Sequence, residues 1–248
     1  MAQSIPIRPR VLIVDDTLSV ASQLIEERDS AEAVVFALAR TVEAKSLFTH
    51  GHSERVMHYA LSLADVVGVP AHEREVLRKG ALLHDIGKIS VPDAILDKPG
   101  KLTIAEFEVI KGHPAQGAHI VEPLHSLRET LPLIRWHHER LDGKGYPDGL
   151  RGDAIPQLVR ILSVADVYDA LSSERPYRQS IPHGSCLEML RQNALGGGLD
   201  PDLVAIFHDI VTPLAPDEAA AVPLDQTPLP FARASLPAAA HAWAYYPK

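Results

Sequence analysis

The most informative part of the chain is the stretch His137-His138-Glu139-Arg140-Leu141-Asp142-Gly143-Lys144-Gly145-Tyr146-Pro147. Two adjacent histidines end an apolar run there, and a loop with charged side chains and two glycines follows. A shorter motif, His84-Asp85, lies upstream near the end of a segment with helical periodicity. Imidazoles and carboxylates are common metal ligands in proteins. Together the two stretches indicate a metal-dependent hydrolase that is built on helices.

Composition limits the class of protein and the kind of ligand. The chain has 248 residues, of which 46% are hydrophobic and 23% charged, so it can bury a core in one large or two small domains. A net charge of -8 and the lack of a dense Lys/Arg run argue against a nucleic-acid polymer as partner, although a small phosphate ligand stays compatible. The single cysteine, Cys186, excludes an internal disulfide and a Cys-rich zinc site. No apolar run reaches about 18 residues and no secretion signal is present, so we expect a cytoplasmic protein without a membrane span.

The N-terminal part differs from the rest of the chain. Residues 9–16 combine a short apolar run with two acidic residues and resemble the first strand of a response-regulator receiver. The remaining parts of a receiver have no place before the helices begin, so we interpret this strand as a remnant or a coincidence. Residues 17–47 contain neither glycine nor proline and have apolar residues at helical spacing. This segment is either a helix packed on its own core or a dimer or signalling helix, and the sequence does not separate the two.

The middle of the chain is predicted to be all-α. Helical patterns end at glycine and proline residues, and the glycine-rich segments at 142–152 and 196–198 are predicted loops. From Pro213 onward the composition shifts to Pro and Ala, which predicts a weakly ordered tail. The predicted organisation is an N-terminal extension at 1–44, a helical domain at 45–212 and a tail at 213–248. The predicted helices are His52–Val67, Glu73–Ile86, Thr103 to His113-Pro114, one beginning at Gly117, Leu131–His138, Leu158–Leu171 and Pro201–Ile210.

Several metal-ligand candidates lie on these helices or at their ends. They are His52, His84, Asp85, His113, His137, His138 and Asp166. Seven such groups exceed what one tetrahedral ion needs, but they suffice for two ions that share a bridging carboxylate. A pair of ions lowers the pKa of a bound water and clamps both oxygens of a phosphoryl displacement. The residues therefore predict a dinuclear phosphohydrolase site.

Collinear motifs across about 45–212 resemble the HD-GYP subgroup of the HD phosphohydrolase superfamily. They are His50-Gly51-His52-Ser53-Glu54-Arg55-Val56, Gly80 to Lys88, Ile95 to Thr103, Lys111-Gly112-His113-Pro114, His138 to Pro147, Ala165 to Leu171, Arg175-Pro176-Tyr177-Arg178 and Leu199-Asp200-Pro201. The resemblance implies an HD-domain helical bundle with a short N-terminal extension. It also implies two divalent metal ions, with Fe or Mn as the first choice.

The resemblance further implies a role for each matching residue. One ion would be held by His52, His84, Asp85 and Asp166, and the other by His113, His137 and His138, with Asp85 bridging. Lys88 would lie beside the transferred phosphate and stabilise its charge in the transition state. Substrate contacts are expected from Tyr146, Arg175 and Arg178, the arginines because a guanidinium fork suits phosphate.

Three neighbouring positions refine this picture. Some family members carry a Glu ligand where this chain has Phe48, which indicates two ions rather than three; His50 is a less suitable substitute. Glu139 and Asp169 are interpreted as groups that orient an imidazole ligand rather than as ligands themselves.

The family likeness implies hydrolysis of cyclic di-GMP to linear pGpG, to GMP, or to both. Two alternatives stay open. The chain could be an HD phosphohydrolase that acts on another nucleotide, which a nucleotide panel would reveal. It could also be a non-catalytic module that binds cyclic di-GMP or docks a diguanylate cyclase (GGDEF) protein through the loop 142–150. Retention of all seven ligand candidates favours catalysis over the module. A homodimer through the 17–47 helix is a further expectation.

Overall fold

The computed structural model describes residues 29–44, 51–173 and 181–212. Within these ranges every regular element is a helix, which confirms the all-α prediction. None of these helices is long and apolar enough to cross a bilayer. Several predictions fall outside the described residues: the strand at 9–16, the tail at 213–248, Phe48, His50, Arg175 and Arg178.

The α-helices are α1 (29–44), α2 (His52–Val67), α3 (Ala71–Leu83), α4 (Asp93–Leu96), α5 (Ile104–Lys111), α6 (His113–Val121), α7 (Leu131–Trp136), α8 (Gln157–Ser172), α9 (His183–Leu195) and α10 (Pro201–Val211). In the described ranges, 3-10 helices lie at Ile86–Ser90, His125–Thr130 and Gly152–Ala154.

The main core is built around α8. Residues 161–171 of this helix are buried without interruption, as expected for a helix enclosed by others. Its neighbours α2, α9 and α10 contribute apolar side chains such as Leu63, Leu190 and Phe207. Because α8 lies at the centre, a polar side chain on it is held in a rigid and water-poor position.

A second, smaller core lies under α1. Ala39 is buried against residues of α3 and α6 and the segment before α7, including Leu83 and Val121. This contact agrees with the alternative in which the helix packs on its own core. Val34 and Leu38 remain on the exposed side, 59% and 47% accessible. The dimer or signalling role of this helix stays a prediction.

Local capping chemistry explains where several helices begin and end. Gly68 closes α2 in the left-handed region with φ 77°, so the predicted end at this glycine is confirmed. Thr103 starts α5 with a capping box that includes Glu106. Asp200 caps α10, and Pro201 occupies its first turn. These are short-range signals, so they could be found in the sequence.

Other boundaries differ from the prediction. The second predicted helix, Glu73–Ile86, ends earlier, at Leu83, and a separate 3-10 helix follows after Asp85. His113-Pro114 begins α6 rather than ending α5, because proline is well suited to the first turn of a helix. The predicted start at Gly117 was therefore wrong, and the predicted α7 was two residues too long. Helix α9 was not predicted.

Candidate metal centre

The seven predicted ligand residues converge in space. Each arrives from a helix or a helix end, namely His52 on α2, His84 and Asp85 after α3, His113 at the start of α6, His137 and His138 after α7, and Asp166 on α8. Four of the five histidines and Asp166 are buried, and the remaining two residues are partly buried. The helix bundle thus brings together residues that are up to 114 positions apart in sequence: Asp166 Oδ1 lies 3.3 Å from His52 Nε2.

The ligands form two groups. His113, His137 and His138 each offer one atom, and these atoms lie within 4.8 Å of one another. The same holds for the group of His52, His84 and Asp85. Either group could hold a metal ion.

Asp85 lies between the two groups. Its Oδ2 is 3.5 Å from His84 Nε2 and 3.8 Å from His52 Nε2. Its Oδ1 faces the other way and is 3.2 Å from His113 Nε2. Asp166 joins the first group, with Oδ1 at 3.3 Å from His52 Nε2 and 4.0 Å from His84 Nε2.

Backbone carbonyls orient three of the imidazoles. In each case Nδ1 lies 2.7–2.9 Å from the carbonyl oxygen three residues earlier: His84 with Ala81, His113 with Ile110, and His137 with Ile134. A carbonyl oxygen only accepts, so Nδ1 must carry the proton and donate it. Nε2 is then left with its lone pair toward the centre, as a metal ligand requires.

A carboxylate orients the fourth imidazole. Asp169 Oδ2 lies 2.7 Å from His52 Nδ1, which is the kind of role interpreted for Asp169 from sequence. Arg55 in turn donates to both oxygens of Asp169, at 2.6 and 3.0 Å. Arg55 belongs to a quoted motif, but the sequence assigned it no role. Burial lowers the pKa of His52, but Asp166 and Asp169 outweigh burial and raise it to about 9.

The donor set fits cations. His84 Nε2 is buried, and among the described residues it has no hydrogen-bond partner. Burial lowers the pKa of His137, and lowers that of His138 to about 3, so both rings are neutral near pH 7. Burial alone raises the pKa of Asp85, but Lys88, His84 and His113 bring it well below its usual value. Neutral imidazoles and ionised carboxylates are the forms that bind metal.

The segment after Asp85 approaches α6 very closely. A Cβ on Gly87 would lie 1.9 Å from the backbone oxygen of His113 and 2.5 Å from the nitrogen of Gly117. Only glycine fits this contact, which brings Asp85 next to His113. Lys88, in the same 3-10 helix, donates to Asp85 Oδ2 at 2.5 Å. The predicted catalytic lysine is therefore at the centre.

Tyr146 borders the histidines from the glycine-rich loop. Its ring centroid lies 4.9 Å from that of His138 and 6.4 Å from that of Phe107. Lys111 Nζ lies 6.0 Å from the Tyr146 centroid. The sequence did not indicate Phe107 as a neighbour, because nothing local links α5 to the loop.

Glu139 has a different role from the one interpreted from sequence. Its carboxylate accepts the backbone N–H groups of Asp148, Gly149 and Leu150, at 2.6, 3.0 and 3.0 Å. Among the described residues it makes no hydrogen bond to an imidazole. Glu139 therefore anchors the loop that carries Tyr146.

These pKa shifts predict an optimum pH for the stability of the metal-free protein. The raised pKa of His52 contributes stability below pH 6.5 that is lost as pH rises through about 9. The pKa of His138 is lowered to about 3, which has the opposite effect. Below pH 6.5 the unfolded chain takes up a proton at this residue and the folded protein does not, so stability decreases as the pH is lowered. Each group gives a slope of about 1.4 kcal/mol per pH unit. Urea unfolding with a chelator from pH 5 to 9 should show a maximum near pH 6.5, and a monotonic profile would contradict this prediction.

Comparisons with known proteins agree with this geometry. The HD domain family model matches residues 37–203. The chain is 42% identical over 192 residues to the 3'3'-cGAMP-specific phosphodiesterase 3 of Vibrio cholerae, covering 77% of this chain and 41% of that protein. It is 39% identical over 180 residues to the cyclic di-GMP phosphodiesterase response regulator RpfG of Xanthomonas campestris, covering 72% and 47%. The match thus spans less than half of the length of either relative.

Solved structures share the fold. Bd1817, an HDG"Y"P protein from Bdellovibrio bacteriovorus, has a TM-score of 0.58 at 20% identity, over 75% of this chain and 64% of that one. The HD domain of the L. monocytogenes phosphodiesterase PgpH has a TM-score of 0.51 at 19% identity, over 70% of this chain and 92% of that one. The chain belongs to the HD domain family and, within it, to the HD-GYP group whose motifs it carries.

Proposed function

We propose that this protein is a metal-dependent phosphodiesterase that hydrolyses cyclic di-GMP to pGpG, to GMP, or to both. The observation that carries the proposal is the position of Asp85, whose two oxygens face two separate histidine groups. A carboxylate placed in this way can be shared by two cations. Paired cations are a recurring arrangement for displacement at phosphorus.

The proposed ligands are the seven residues predicted from the sequence. One cation would be held by His52, His84, Asp85 and Asp166, and the other by His113, His137 and His138, with Asp85 shared. When bound, the cations supply an acidified water and neutralise charge on the phosphate. The nitrogen and oxygen donors, without a thiolate, suit Fe or Mn, which we propose as the metals.

Other side chains would act on the substrate. Lys88 is an ammonium group at the centre, so it can donate to a phosphate oxygen as negative charge develops. Tyr146 presents an aromatic ring beside His138, where a nucleobase or ribose would pass. Arg175 and Arg178 remain proposed phosphate contacts on the strength of their motif. The domain boundaries 45–212, a homodimer and docking of a GGDEF protein through the loop 142–150 also stay predictions.

A second substrate has specific support. The relative at 42% identity is named for 3'3'-cGAMP, whereas the one at 39% is named for cyclic di-GMP. Both molecules have two phosphodiesters and at least one guanine. The metal centre acts on the phosphodiester, so it does not distinguish them.

A panel of cyclic dinucleotides separates these proposals. Purified protein would be loaded with Fe(II) or Mn(II) without oxygen and given cyclic di-GMP, 3'3'-cGAMP or cyclic di-AMP, and the products would be separated by chromatography. We expect the highest kcat/KM with cyclic di-GMP. A preference for 3'3'-cGAMP would support the second substrate. Tight binding without turnover in the metal-replete protein would instead indicate a binding module.

A further inference from the structure

Helix α2 begins without a capping side chain of its own. Its N-cap residue is Gly51, with φ 70°, and no side-chain cap is formed there. The first N–H groups of a helix need acceptors from elsewhere. His52 is the first residue of α2, so its backbone position depends on how this helix start is held.

The acceptor comes from α1. Glu43 Oε1 accepts the N–H of Ser53 at 3.0 Å. A carboxylate at a helix N-terminus is also favoured by the helix dipole. Ser53 is 7% exposed and adjacent to His52, so the bond lies in a protected position. Glu43 thus supplies the cap that Gly51 lacks.

The negative charge of Glu43 also acts on Arg55, which supports His52 through Asp169. Burial lowers the pKa of Arg55, but Asp169 and, more weakly, the charge of Glu43 raise it. Arg55 holds Asp169, and Asp169 holds the Nδ1 of His52. Glu43 therefore holds the backbone next to His52, and its charge favours the cationic form of the arginine that holds Asp169.

We propose that Glu43 is a positioning residue that couples α1 to the metal group formed by His52, His84 and Asp85. This inference rests on the proposed metal ligands. Helix α1 is joined to the domain at other points, such as Glu32 to Lys79 at 2.7 Å, which lies on α3. The bond from Glu43 reaches the start of α2 directly. Loss of this bond would therefore change metal occupancy first at the group that contains His52.

The test compares Glu43→Ala, Glu43→Gln and Glu32→Ala by titration of the metal-free protein with Mn(II). We expect Glu43→Ala to weaken one of two binding steps by about 10–100-fold, as seen when a group that orients a ligand is lost. Glu43→Gln keeps an acceptor oxygen and should recover most of that affinity. Glu32→Ala removes a different attachment of α1, and both binding steps should stay within about threefold of the unchanged protein. The reason is that Glu32 bonds to Lys79 on α3 and not to the start of α2.

Each outcome decides the proposal. Equal weakening in Glu32→Ala would show that loosening α1 is sufficient and would overturn a specific role of Glu43. Unchanged binding in Glu43→Ala, or equal weakening of both steps, would overturn it as well. Far-UV circular dichroism checks that each variant is folded, and Glu43→Gln keeps the test valid if Glu43→Ala unfolds. If the protein shows two metal-binding steps but hydrolyses no cyclic dinucleotide, the proposed function is refuted and the inference about Glu43 is not.

Discussion

Replacement Asp85→Asn is expected to lower the rate of hydrolysis strongly and to reduce the bound metal. The two oxygens of Asp85 face different histidine groups, and an amide would turn an NH2 group toward one of them. An NH2 group donates and does not ligate a cation. Loss of the shared carboxylate removes several kcal/mol of charge stabilisation. This corresponds to a decrease in kcat of about 10³-fold.

The measurement is kcat with cyclic di-GMP, together with metal content after desalting. Asp153→Asn is the matched control, because Asp153 is an exposed carboxylate in the 3-10 helix Gly152–Ala154. It should keep both metal content and rate. Full activity and two bound ions in the Asp85→Asn protein would contradict the shared-carboxylate arrangement.

Replacement Gly87→Ala is expected to damage both the fold and the centre. The new Cβ would lie 1.9 Å from the His113 oxygen and 2.5 Å from the Gly117 nitrogen, and both atoms belong to the backbone. No flexible side chain can move aside, so the 3-10 helix and α6 must separate. Overpacking of this kind costs about 1–3 kcal/mol of stability. Because Asp85 and His113 lie on the two sides of this contact, their 3.2 Å approach would be lost as well.

Gly184→Ala is the control for the same chemical change. Gly184 lies in α9, and a Cβ there would meet nothing within 4 Å. The control should be neutral or stabilised by up to about 1 kcal/mol, since alanine is the better helix former. Urea unfolding gives the stability difference, and Mn(II) titration reports the centre. Equal stability of the two variants would contradict the prediction, because it would show that the backbone around Gly87 can move apart with little loss of stability.

The sequence alone was informative where the signal is short-range. Gly68 marks the C-terminal end of α2, and Asp200 and Pro201 mark the start of α10. The backbone preferences of these residues act on their immediate neighbours. The helix predicted at Leu158–Leu171 was confirmed as α8, and the structure shows that it is buried. The candidate ligands could also be predicted from the sequence, because the ability of imidazoles and carboxylates to bind metal does not depend on the fold.

Only the tertiary structure decided which groups meet. The Glu139 carboxylate reaches backbone N–H groups of the loop rather than an imidazole. Glu43 caps a helix that begins nine residues later, and Phe107 meets Tyr146 from a separate helix. A polar side chain forms hydrogen bonds with the donors and acceptors that the packed helices place within about 3 Å of it. That distance depends on how distant segments approach each other, as at Gly87, and sequence periodicity carries only the local part of this information.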